Sequence, residues 1–92
     1  DIECFYSENK GTYAHTTEGR DYLLDTTLEQ LENELAPETF FRVNRTFFIN
    51  INAIKDIISY TNSRLQLKLN SYSNQDIIVA RERVKDFKIW LE

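Results

Sequence analysis

Methionine is absent from this chain of 92 residues, glycine occurs twice, and cysteine, histidine, proline and tryptophan occur once each. The lone Cys4 cannot close an internal disulfide, which fits a reducing, cytoplasmic setting. One histidine and one cysteine, neither in an activating context, leave no nucleophile–base pair, so no catalytic role is expected. Two glycines, Gly11 and Gly19, exclude a glycine-rich phosphate cradle. No spacing of ligands suits zinc or calcium, and neither metal nor cofactor is expected. The longest apolar run, Ile77-Ile78-Val79-Ala80, falls far short of the roughly 18 residues of a membrane span. No secretory signal pattern is visible. With no methionine at residue 1, the chain reads as a domain cut from a longer protein.

What is there suits one small domain over residues 1–92, with 41% apolar and 13% aromatic residues to fill one core. Residues 2–6 alternate, with Ile2, Cys4 and Tyr6 on one face, and read as a strand that buries Cys4. Strands are also expected over 12–16 and 21–24, the latter two joined by a turn at Glu18-Gly19-Arg20. Thr27-Leu28-Glu29-Gln30 has the spacing of a capping box. Leu28, Leu31 and Leu35 then share one face of a short helix near 27–35, which Pro37 ends. Short strands follow over 40–43 and 47–51. Residues 55–60 and 64–69 form a hairpin across Thr61-Asn62-Ser63, with Leu65, Leu67 and Leu69 inward and Arg64, Gln66 and Lys68 outward. A loop over 70–75, a strand over 76–80 and a helix over 81–91 complete a mostly β chain. Inward positions of that helix are Val84, Phe87 and Trp90 or Leu91. Pattern alone does not separate one sheet from two.

Charge is unevenly distributed. The net charge is −4, yet residues 1–38 carry ten acids against two bases, and residues 39–92 carry five acids against nine bases. An acidic chain can therefore present a local positive surface. Glu29, Glu32 and Glu34 are expected on a solvated helix face, and His15 on an exposed strand position. The stretch Phe40-Phe41-Arg42-Val43-Asn44-Arg45-Thr46-Phe47-Phe48-Ile49-Asn50 sets polar side chains between two aromatic pairs. Burying the aromatics leaves the polar group at the surface unless it finds partners. Arginine bonds both guanine O6 and N7, and asparagine pairs with adenine. Arg45 and Arg81 are thus candidate base readers. Asn44 suits adenine, phosphate or a local cap. Arg42, Thr46, Lys68, Lys85 and Lys88 are candidate phosphate contacts.

The same stretch resembles the central signature of the LytTR (LytR/AlgR-type) DNA-binding domains of bacterial response regulators. The Tyr13 strand, the Gly19 turn, Thr27 to Glu32, Ile54, Val79-Ala80-Arg81 and Phe87-Lys88 are similar to other parts of the family pattern, in order. The resemblance implies an elongated fold of about ten short antiparallel strands that docks loops, not a recognition helix, into DNA grooves. It implies base contacts from Asn9 or Lys10 in the first loop, from Arg45 with Asn44, and from Arg81. It further implies transcription regulation at direct-repeat promoter sites, a preceding receiver domain, phosphorelay signalling and two protomers on double-stranded DNA. Asn44 stands where the family usually has histidine, and Ala80 where it often has serine. The alternative reading is a non-catalytic β-rich protein-interaction module, or a member that has lost DNA binding.

Overall fold

The computed structural model describes all residues, 1–92. Eight strands run β1 (Ile2–Glu8), β2 (Gly11–Thr16), β3 (Asp21–Leu24), β4 (Phe40–Arg42), β5 (Phe47–Asn50), β6 (Ile54–Tyr60), β7 (Arg64–Leu69) and β8 (Ile77–Val79). Helix α1 (Leu28–Glu34) separates β3 from β4, and α2 (Val84–Leu91) closes the chain. Two antiparallel sheets result, one ordered β3-β2-β1-β5-β4 and one ordered β6-β7-β8. The resemblance implies about ten strands. The structure has eight, and Ile51–Ala53 and Arg81–Arg83 form single 3-10 turns.

The larger sheet, apart from its exposed edge strand β3, is covered on both faces because its strands alternate two apolar sets. Phe5, Ala14, Phe40 and Phe48 pack beneath Leu28 and Leu31 of α1 and Leu35 just after it. Cys4, Tyr6, Phe41, Phe47 and Ile49 face the second sheet, meeting Leu65, Leu67, Leu69, Ile77 and Val79. Helix α2 closes this larger core with Val84, Phe87 and Trp90, and Phe87 and Trp90 both pack on the Phe41 ring. Ile2 departs from the expected face. A bulge between Ile2 and Cys4 shifts the register, so Ile2 joins the α1 side while Glu3 is fully buried.

Local chemistry sets the element ends. Thr27 accepts from the Gln30 amide while the Gln30 side chain accepts from the Thr27 amide, a complete capping box. Asn9 and Lys10, and likewise Asn62 and Ser63, have positive φ, the conformation that two-residue hairpin turns require. Strand directions then place particular loops at one end. Tyr6 pairs with Phe47, so the Asn9–Lys10 turn and residues 43–46 lie at the same end of the larger sheet. Leu65 pairs with Val79, so the β6–β7 turn and Ala80-Arg81 lie together at one end of the smaller. Ala80 donates its amide to the Val43 carbonyl at 2.9 Å and thereby aligns the two ends.

Candidate nucleic-acid interface

The loop over residues 43–46 sits at the centre of this shared end. On one side the Ser7 amide donates to the Thr46 carbonyl at 3.0 Å, linking the loop to the Asn9–Lys10 hairpin. On the other side the Asn44 side-chain amide donates to the Ile78 carbonyl at 2.7 Å. Lys10, Arg45 and Glu29 line one shallow depression. Arg45 is exposed and its guanidinium makes no ion pair or hydrogen bond within the protein. Arg81 is exposed at the start of the 3-10 turn that follows β8. One free guanidinium, that of Arg45, therefore stands on a loop whose backbone is held from both sides, and a second, that of Arg81, follows the adjoining β8.

Two residues expected to touch nucleic acid are used inside the fold. Asn44 Oδ1 accepts from the Thr46 amide at 2.7 Å, the Thr46 hydroxyl at 3.0 Å and the Phe47 amide at 2.9 Å. With its amide also on Ile78, that side chain has its oxygen fully engaged and one N–H left, and Asn44 serves as the local cap. Arg42 is only 9% exposed. Its guanidinium donates to the Asn44 carbonyl at 2.9 Å, the Arg45 carbonyl at 2.5 Å and Glu32 at 2.7 Å, with Glu29 at 3.4 Å. Arg42 is therefore not a phosphate contact, and Glu29 and Glu32 are not merely solvated. The Arg42 cation lies in phase with Phe40 on the face that α1 covers. Glu29 and Glu32, one helical turn apart, were the signal that could have revealed this.

The remaining lysines differ in placement. Lys85 and Lys88 are exposed on α2, Lys85 in the turn next to Arg81–Arg83 and Lys88 one turn further on. Lys68 stands opposite Asp56, toward the end of β7 away from the Leu65–Val79 pair, so the structure does not bring it to the shared end. Arg64 is there instead. It bonds Thr61 and lies over the Tyr60 ring at 4.9 Å, one step beyond the Leu65–Val79 pair. Thr46 is exposed, with its hydroxyl proton directed at Asn44.

A second polar cluster lies away from this end. His15 is buried, not exposed, and bridges Asp21 Oδ1 at 2.8 Å and Ser71 Oγ at 3.0 Å. An ionised Asp21 only accepts, so Nδ1 carries the proton that bonds it, and Nε2 faces the Ser71 hydroxyl. Tyr6 also donates to Asp21 at 2.8 Å. The order serine, histidine, aspartate has the layout of a hydrolytic relay. However, the Ser71 and Tyr72 amides both donate to Glu3 Oε1 at 3.0 Å. The amides nearest the hydroxyl thus already hold a carboxylate and offer nothing to an oxyanion. The cluster clasps β1 and β2 to the loop after β7.

The description "LytTr DNA-binding domain" matches residues 1–92, the whole chain. The chain belongs to the LytTR family. Its LytTR fold superimposes on the LytTr DNA-binding domain of an inferred methyl-accepting/DNA response regulator from Bacillus cereus, with a TM-score of 0.85 and 25% identity over 98% of this chain and 80% of that one. The transcriptional regulatory protein YpdB of Escherichia coli K12 is 28% identical over 88 residues, which is 94% of this chain and 35% of that protein. YpdB of Shigella flexneri shows the same identity and coverage. The LytTR chain thus spans about a third of the length of these curated relatives. DNA binding is the activity of the LytTR domain, and Lys10, Arg45 and Arg81 stand exposed at the shared loop end. No helix is long and apolar enough to cross a membrane.

Proposed function

We propose that this LytTR domain reads double-stranded DNA with the loops at its shared end, as the output module of a bacterial transcription regulator of the response-regulator type. The observation that carries this reading is the pair of unpartnered guanidinium groups, Arg45 and Arg81, on backbone that is fixed across both sheets. Arg45 and Arg81 bond base edges. Lys10, with Asn9 beside it on the first hairpin turn, supplies a third contact. Lys85, Lys88, Thr46 and Arg64 meet phosphates, and Lys85 lies nearer than Lys88. Two copies occupy direct-repeat sites, and a receiver domain earlier in the full protein raises the effective concentration of the second copy.

Selection from randomised duplexes at near-physiological salt, with Arg45→Ala in parallel, tests this. The parent is expected to enrich a short motif, and the mutant to lose about 1–3 kcal/mol on it. A folded parent that enriches nothing, alone and as a forced dimer, would overturn it. The second reading, a protein-interaction module, rests on the edge strand β6, where Ile57, Ile58 and Tyr60 are all exposed. It predicts that Arg45→Ala changes nothing toward DNA.

A further inference from the structure

We infer that Glu32, an acid on α1, is a positioning residue for DNA reading, acting through Arg42 on the backbone of the Arg45 loop. The inference rests on the reading of Arg45 as a base contact. A buried guanidinium needs a paired charge to stay buried. Glu32 supplies it at 2.7 Å and is 39% exposed, while Glu29 is farther at 3.4 Å and 74% exposed. Held there, Arg42 donates to the carbonyls of Asn44 and Arg45, the two peptide groups that flank Arg45's own Cα. Arg83 donates to the Arg42 carbonyl at 3.0 Å and ties the same point to the segment that carries Arg81. A base-reading side chain discriminates only if the backbone that aims it is fixed beforehand. Without Glu32 the guanidinium is drawn toward water or left short of a partner, and both loop carbonyls lose their donor.

A positioning role for Glu32 and simple electrostatics have effects of opposite sign. Removing an acid from a DNA-facing end should strengthen binding to every sequence, because phosphates repel it. Removing Glu32 as a positioning group should weaken binding to the preferred sequence. The experiment uses fluorescence anisotropy with two duplexes, the selected site and one altered at the base pair that Arg45→Ala relaxes. Glu32→Gln, Arg45→Ala, their double mutant and Arg42→Lys are compared across a salt series, with melting checked for each.

Glu32→Gln is expected to lose about three- to tenfold on the selected site, the worth of one or two hydrogen bonds. Its preference for that site should fall, its salt slope should stay that of the parent, and it should add no loss to Arg45→Ala. Arg42→Lys keeps the charge but not the fork, and should behave as Glu32→Gln does. Equal tightening on both duplexes, or a normal preference in Glu32→Gln beside a lost one in Arg45→Ala, overturns the inference while leaving Arg45 as a reader. An Arg45→Ala domain with unchanged selectivity removes the base contact itself, and the inference with it.

Discussion

At the scale of single residues, Arg42, Asn44 and Arg45 are neighbours with similar chemistry and different fates. All three are polar groups between aromatic pairs, and composition treats them alike. What separates them is the side of the strand and the partners that other elements bring. Arg42 follows Phe40 by two and shares its buried face, where Glu29 and Glu32 await. Asn44 finds a carbonyl on β8, 34 residues away, which no local pattern foretells. Only Arg45 is left over. Replacing Asn44 by alanine removes the acceptor for two amides and the donor for Ile78, so a loss of about 2–4 kcal/mol in unfolding free energy is expected. Urea titration checks it. An exposed base reader at this position would leave the unfolding midpoint where it was.

At the scale of elements, alternation and capping chemistry were legible. The capping box, the Leu65-Leu67-Leu69 face and the β6–β7 turn stand where the sequence places them. The bulge at Glu3 was not, because it answers a demand from elsewhere: the Ser71 and Tyr72 amides need an acceptor, and Glu3 meets both. His15 escaped for the same reason, its partners lying on β3 and in the loop after β7. The first hairpin turn carries a different tension. Lys10 holds φ at 68°, a left-handed conformation that suits glycine better than lysine. Lys10→Gly is expected to stabilise the domain by about 0.5–1 kcal/mol and to weaken DNA binding on all sequences alike. Calorimetry and anisotropy on the same sample separate the two effects. A variant that neither gains stability nor loses affinity would show Lys10 to be idle.

At the scale of the whole molecule, the two-sheet arrangement depends on polar joints as well as on the apolar core. Burial raises the Asp21 carboxyl, but hydrogen bonds from His15 and Tyr6 and the nearby imidazole outweigh it and hold Asp21 below its ordinary 3.8. A folded value below the unfolded one means that the native state binds fewer protons. The stabilisation is full above pH 3.8 and is lost as pH falls through the lower folded value. Melting temperature is therefore expected to drop below about pH 4 in the parent, with a shallower drop in Asp21→Asn. Parallel curves would exclude the clasp as a source of acid sensitivity. The fold class and the run of elements were readable from 92 residues. The joints between sheets were not, since each needs two segments that only the finished fold brings together.

The single tryptophan lies at the opposite end from the reading loops. Its ring packs on Phe41 and Phe87, and its indole N–H donates to the Pro37 carbonyl at 2.8 Å. Optically, the domain therefore carries a built-in reference. Trp90 emission follows the integrity of the junction between α2 and the segment after α1. Fluorescence titrations of the unlabelled protein would report whether the molecule is whole, while the dye on the DNA reports whether it is bound.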